Sequence, residues 1–273
     1  AERNPKSMKS TFPFAFKRGA AALAAASVAV CALLPAGGVV WAAETTTAES
    51  SDTFDDGTLT YKKLSNTTVS VTDCVESATH ISIMPKIDGY DIVSIGEEAF
   101  ANCTSLQSVT IPASVTEIGS AAFYGCTALT KVTVPDAVTK IEQGTFFSCT
   151  ALTDLTLGKD TTEIGDMAFG YCTSLETVML PDTVETLGDQ LFYYCTALDE
   201  VQIPEKVTEL GGYTFYGCMS LKSFTVPKNL ENIGAKKMHL RSSHPPLYPF
   251  LHRVGRPESF HIPDQAFRKV LFS

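Results

Sequence analysis

From Ile95 to Asn232 the chain repeats itself every 23 residues, six times over, with no insertion or deletion. The first units read IGEEAFANCTSLQSVTIPASVTE and IGSAAFYGCTALTKVTVPDAVTK, and the last reads LGGYTFYGCMSLKSFTVPKNLEN. A fixed period of this length is the signature of a solenoid. Each unit is then one coil, too small to bury its apolar side except against its neighbours.

Within a coil each column has a physical reading. Leu106, Val109 and Ile111 end in strict alternation, which predicts a short strand with one buried face. Stacked coils turn these strands into a parallel sheet with a spacing of about 4.8 Å. Pro112, Pro135, Pro181, Pro204 and Pro227 follow the strand and end it, because proline has no N–H for the ladder; Gly158 takes that place in the third unit. Val115 and Ile118, repeated as Val138/Ile141, Val184/Leu187 and Val207/Leu210, predict a second extended stretch facing inward. Gly96, Gly119, Gly165, Gly188, Gly211 and Gly234 mark the next corner, where positive φ or close backbone approach is expected; Glu142 interrupts the series. The segment around Ala99-Phe100 predicts a short turn of α- or 3₁₀-helix, with Phe100, Phe123, Phe146, Phe169, Phe192 and Phe215 stacked inside the coil.

Six cysteines share one column: Cys103, Cys126, Cys149, Cys172, Cys195 and Cys218, with Cys74 ahead of the repeats. Three arrangements compete: a ladder of buried free thiols, disulfides between neighbouring coils, and a metal site. Adjacent Cα atoms at about 4.8 Å lie within disulfide range, but side chains projecting in parallel keep the Cβ atoms as far apart, beyond the usual 3.5–4.5 Å. Zinc needs four convergent ligands, and the repeats contain no histidine. The expectation is therefore a structural ladder of reduced cysteines from Cys103 to Cys218, with no metal and no cofactor. A serine in this column is expected to bury an unpaired hydroxyl.

The unit IGxxAFxxCxxLxxVxIPxxVxx resembles the bacterial leucine-rich repeat of the BspA-like type over residues 95–234. The preceding stretches LTYKKLSNTTVSVTDC and IMPKIDGYDIVSIG resemble that family's N-terminal segment and extend the likeness to residues 58–234. The resemblance implies an α/β, β-rich leucine-rich repeat solenoid with a parallel sheet on one face, short strands and short helical turns. It also implies an extracellular surface protein that binds other molecules and whose repeats carry no catalysis.

Charge supports the same picture. Residues 43–234 hold nine lysines, no arginine and twenty-seven acids, a net −18, which is a poor surface for nucleic acid. Residues 1–42 are net +4, and Met8, Lys9, Lys17 and Arg18 precede the uncharged run GAAALAAASVAVCALL. With small residues at Val40 and Ala42, residues 8–42 read as a signal peptide cleaved after Ala42, and residues 1–7 as upstream sequence not native to the protein. No membrane span is then expected in the mature chain. Residues 43–57 read as an acidic flexible leader that buries nothing, 58–94 as an N-terminal cap segment and 95–234 as the repeats. After Gly234 the register fails: Met238, Arg241 and His244 stand where Phe, Cys and Leu belong. Residues 235–273 read as a non-repeat basic tail, disordered or the product of a frame shift near Lys236-Lys237. More repeats or a wall anchor are then expected in the natural protein.

His80 is the lone histidine of residues 43–234 and reads as a surface or edge residue, so nucleophile–base chemistry lacks its players. The chain is not expected to be an enzyme. The candidate binding surface is the outer face of the sheet. One column holds Ser108, Lys131, Asp154, Thr177, Glu200 and Ser223; the next holds Thr110, Thr133, Thr156, Met179, Gln202 and Thr225. The threonines by themselves reflect strand propensity on a wet face. The functional reading is a flat recognition surface for an extracellular protein or glycan, as in adhesion, on a secreted or cell-surface protein. The rival readings are a spacer or stalk within a larger wall protein, or the non-catalytic module of a truncated surface enzyme.

Overall fold

The computed structural model describes residues 52–225 and 227–233; the expected signal peptide, upstream residues and basic tail lie outside these. Six strands precede the regular repeats: β1 (Thr53–Asp55), β2 (Leu59–Lys63), β3 (Thr68–Cys74), β4 (His80–Ser82), β5 (Lys86–Ile87) and β6 (Tyr90–Ile95). Each unit then contributes a three-residue and a two-residue strand. These are β7 (Ser108–Thr110) and β8 (Glu117–Ile118), β9 (Lys131–Thr133) and β10 (Lys140–Ile141), β11 (Asp154–Thr156) and β12 (Glu163–Ile164). The series continues with β13 (Thr177–Met179) and β14 (Thr186–Leu187), β15 (Glu200–Gln202) and β16 (Glu209–Leu210), and β17 (Ser223–Thr225) and β18 (Asn232–Ile233).

The longer strands form one parallel sheet of seven, in the order β17-β15-β13-β11-β9-β7-β4. The short strands pair in parallel as β10-β12-β14 and β16-β18, and β8 pairs with β6. The main sheet therefore starts before the regular period does. β4 pairs with β7 at a step of 28 residues, His80 to Ser108, while Ser94 pairs with Glu117 at the regular step of 23. The extra length is taken up around the antiparallel pairing of β5 with β6. Residues 74–94 thus build most of an additional coil.

The cap is an antiparallel β1-β2-β3 arrangement whose β3 then runs parallel to β6. This corrects the reading of residues 43–57 as a leader that buries nothing. Its end is β1, and Phe54 packs on the core and stacks on Tyr61 at 5.3 Å. The alternation of Leu59, Tyr61, Val69 and Val71, all buried, covers the first coil's apolar cross-section.

Inside the coils, the phenylalanine column is fully buried and its rings stack at 4.9 Å (Phe100–Phe123), 5.5 Å (Phe123–Phe146), 6.1 Å (Phe146–Phe169), 5.6 Å (Phe169–Phe192) and 5.7 Å (Phe192–Phe215). Burying one such side chain contributes roughly 1.5–3 kcal/mol. Around the rings lie Leu106, Leu129, Leu152, Leu175 and Leu198, each fully buried.

The expected helical turn around Ala99-Phe100 is corrected: among the described residues the segment forms successive non-helical turns. The reason lies in its hydrogen bonds. Every second amide leaves its own coil: Glu98, Phe100 and Asn102 donate to the carbonyls of Ser120, Ala122 and Tyr124 in the next coil, at 3.0, 2.8 and 2.6 Å. The intervening amides close local turns, Ala101 to Glu98 and Cys103 to Phe100. A helix would need all of them for its own i−4 carbonyls. The alternation is accompanied by left-handed backbone at two fixed places in each unit. Glu98, Ala121, Gly144, Met167, Gln190 and Tyr213 have φ between 53° and 62°; Asn102, Gly125, Ser148, Tyr171, Tyr194 and Gly217 have φ between 56° and 81°.

The corner glycines serve close approach and not positive φ. A methyl group on Gly119 would lie 2.5 Å from the Glu97 amide nitrogen, and one on Gly165 would lie 2.8 Å from that of Gln143. Neighbouring coils touch backbone to backbone there.

The cysteine column divides. Cys103 forms a disulfide with Cys74, which corrects its place in the reduced ladder. Cys74 arrives from β3, outside the column's parallel geometry. Cys126, Cys149, Cys172, Cys195 and Cys218 are free and buried. Each thiol donates to the phenylalanine carbonyl one coil back, Cys126 to Phe100 at 3.0 Å and Cys149 to Phe123 at 3.1 Å. The expected unpaired serine hydroxyl is therefore corrected too, because an acceptor waits beside each thiol. Burial pushes the thiols of Cys126, Cys172 and Cys218 up to about 12, and those of Cys149 and Cys195 well above the ordinary value. They stay protonated and unreactive at neutral pH. Alkylation mapping should recover Cys74 and Cys103 as one linked peptide, and label the five ladder cysteines only under denaturant. Labelling of Cys149 in the native protein at pH 8 would overturn this assignment.

Candidate functional site

The outer face of the seven-stranded sheet carries the two expected columns in register. Ser108, Lys131, Asp154, Thr177, Glu200 and Ser223 lie on β7, β9, β11, β13, β15 and β17, with Ser108 paired to Lys131, Lys131 to Asp154, Thr177 to Glu200 and Glu200 to Ser223 at Cα, while β11 and β13 pair through Thr156 and Met179. Thr110, Thr133, Thr156, Met179, Gln202 and Thr225 form the second row. Lys131, Asp154, Thr177, Glu200, Thr110, Thr133, Thr156 and Gln202 are exposed, and Ser108 is half-buried. Met179 is 82% exposed, an unbranched apolar side chain amid threonines and glutamine. The alternation that aims these residues outward aims Val109, Val132, Leu155, Val178 and Val201 into the core.

Electrostatically the face is mixed. Lys131 Nζ and Asp154 Oδ2 pair at 2.6 Å, while Glu200 stands two strands from Asp154. At the sheet margin Lys222 Nζ reaches Asp199 Oδ2 at 2.7 Å. Such exposed pairs contribute about 0–1 kcal/mol to folding. Their value lies in orienting a partner.

Strand β4 adds two residues that the repeat register does not predict. His80 extends the first row and its Nδ1 lies 2.9 Å from Ser108 Oγ; Ser82 extends the second. The step of 28 residues hid them.

A second surface lies on the turn side of the coils. Tyr124, Phe147, Tyr171, Tyr193, Tyr194, Tyr216 and Tyr213 form one continuous aromatic strip. Tyr124 stacks on Phe147 at 5.3 Å, Tyr171 on Tyr194 at 5.2 Å and Tyr193 on Tyr216 at 5.2 Å. The two tyrosine stacks meet at 63–72°. Phe147 is buried and the tyrosines are half-buried. Sequence columns miss this strip because the aromatic residue alternates between two adjacent positions of the repeat. Only the folded turn puts Phe147 and Tyr171 at ring contact, 5.3 Å apart.

Among the described residues no group of three His, Cys, Asp or Glu side chains is placed to hold a metal ion, and no helix is long and apolar enough to cross a membrane. In the hollow by Asp166 and Asp189 these two carboxylates are already committed. Asp166 Oδ1 accepts the Asp189 amide at 2.7 Å, and Asp189 Oδ1 accepts that of Gly212 at 2.6 Å.

The architecture has known counterparts. A leucine-rich repeat protein of T. pallidum is 27% identical, with a TM-score of 0.66 over 75% of this chain and 96% of that one. One from Bacteroides ovatus is 30% identical with a TM-score of 0.61, covering 67% of this chain and 54% of that one. A leucine rich cell surface protein of Faecalibacterium prausnitzii is 31% identical with a TM-score of 0.52, covering 63% and 54%. The chain therefore spans about half the length of the latter two. No curated protein matches it. Six copies of the BspA type leucine rich repeat region match residues 74–198 and 117–240, so the chain belongs to the BspA-type leucine-rich repeat family.

Proposed function

We propose that this repeat module acts outside the cell and binds an extended segment of an extracellular protein across the outer face of its main sheet, an adhesive role without catalysis. Family membership supports the coarser part, since these repeats are protein-binding modules, and a cell-surface relative supports the location. The observation that carries the finer part is Met179. It is 82% exposed on β13, an inner strand of the main sheet, between Thr156 and Gln202, whose side chains can hydrogen-bond. A flexible thioether in a polar surround suits a protein contact, with the apolar centre desolvated and Lys131, Asp154 and Glu200 setting orientation. The sheet is pre-formed, so little ordering entropy opposes contact.

The test is solid-phase binding to extracellular matrix proteins, comparing the native chain with K131A/D154A/E200A and with Met179→Ala. Each variant should bind at least about tenfold more weakly, with folding stability within about 0.5 kcal/mol, because these side chains are exposed. Native binding by both variants would refute the sheet-face reading. Absence of any protein ligand for the native chain would leave the spacer as the better account.

A further inference from the structure

We propose that the turn face is a second binding surface, independent of the sheet face, and that its ligand is an uncharged glycan chain running along the tyrosine strip. Four observations converge on it.

The first is charge. In a body of net −18, the turn-face segments 120–130, 143–153, 167–175, 190–198 and 211–221 contain no Asp, Glu, Lys, Arg or His. A polyanion would be repelled by the protein as a whole. A cationic partner would be drawn to the acid-bearing faces and away from this one. The surface complements a ligand that carries no charge.

The second is chemistry. The strip runs over units two to six, roughly 20 Å at ordinary strand spacing. Its members present apolar ring bodies with polar rims. The stacks Tyr171–Tyr194 and Tyr193–Tyr216 meet at 63–72°, so the strip presents ring planes in two orientations. A sugar ring has the matching halves: C–H groups that pack on an aromatic face, and hydroxyls that bond a phenol. Among the described residues the hydroxyls of Tyr171, Tyr193, Tyr213 and Tyr216 make no hydrogen bond.

The third is strain. Tyr171 and Tyr194 sit at φ 58° and 56°, and Tyr213 at 58°, conformations that a glycine adopts freely. In the same column as Tyr171 and Tyr194, the second and sixth units do use glycine, Gly125 and Gly217. The coil imposes this φ on whatever residue stands there, so the tyrosines occupy places where glycine would fit with less strain.

The fourth is room. Gly170 stands where a methyl group would lie 2.8 Å from the Phe147 ring, and Gly217 where one would lie 2.8 Å from the Tyr194 ring. Each glycine lets the ring of the preceding coil lie over it, and so preserves a continuous aromatic surface.

Affinity gel electrophoresis against a β-1,3-glucan, an α-1,4-glucan, a mannan and a galactomannan tests the proposal, with heparin as the charged control. At least one neutral polymer should retard the native protein, with little dependence on salt, and heparin should not. Y193A/Y216A should lose binding at least tenfold. Y193F/Y216F, which keeps the rings and the fold, should lose it several-fold through the missing hydroxyls. K131A/D154A/E200A should be retarded as the native chain is, which separates this surface from the sheet face. No retardation by any of the four polymers overturns the proposal. So does retention of binding by Y193F/Y216F together with Y193A/Y216A, or loss of protein binding and not glycan binding in these variants.

Discussion

Raising the pH from 8 to about 10 should unfold this solenoid. Five thiols, Cys126, Cys149, Cys172, Cys195 and Cys218, are buried with their ionisation pushed far up from the ordinary 9.0, to about 12 for three of them. Burial is the leading cause in each, because a thiolate in the apolar interior loses its water. In the unfolded chain the same thiols ionise near their ordinary value. Between that value and 12 the unfolded state therefore binds fewer protons than the folded one, and stability falls as pH rises. At pH 10 each thiol costs about 1.4 kcal/mol, and five together about 7 kcal/mol. That matches the whole stability of many domains, 5–15 kcal/mol. Below pH 8 the effect vanishes. Far-UV circular dichroism from pH 7 to 11 should show a cooperative loss with its midpoint near 10, and replacing all five by alanine or valine should move the midpoint upward. Full ellipticity of the native chain at pH 11 would sink the prediction.

The largest effect from one substitution is expected at Phe146. Its ring lies fully buried between Phe123 at 5.5 Å and Phe169 at 6.1 Å. Alanine there removes the side chain from the middle of a single-file stack, where neighbours held by backbone ladders on both sides cannot collapse into the gap. A loss of about 3–5 kcal/mol is expected. Coils couple only to their neighbours, so the break should also divide the molecule. Urea unfolding of Phe146→Ala should change from one transition to two, while Phe146→Leu should keep one and lose about 1–2 kcal/mol. A shift under 1 kcal/mol for the alanine variant would show that the stack is not the core's main support.

What was legible in the sequence was whatever each coil repeats. Phe100 to Phe215 and Leu106 to Leu221 are buried six times over, and the outward rows at Ser108 and Thr110 recur with the same period, so period alone placed them. What broke the period was hidden. β4 joins the sheet at a step of 28 residues, and with it came His80, Ser82 and the partner of Cys103. Left-handed backbone at Glu98, Met167 and Gln190 leaves no mark in residue type, since hydrogen bonds to the next coil impose it. The aromatic strip is divided between two adjacent repeat positions, Tyr124, Phe147, Tyr193 and Tyr216 at one, and Tyr171 and Tyr194 at the other. Only the turn geometry brings both positions to one surface.

The Cys74–Cys103 bond acquires a further meaning if the chain is placed under tension. A stack of equal coils under tension peels like links of similar strength, each releasing its own length of chain. Between Cys74 and Cys103 the covalent tie carries the force instead, so the 29-residue stretch holding β4, β5 and β6 cannot be drawn out while the bond is oxidised. The first coil is then shielded from extension, and the seven-stranded sheet keeps its β4 margin while coils further along give way.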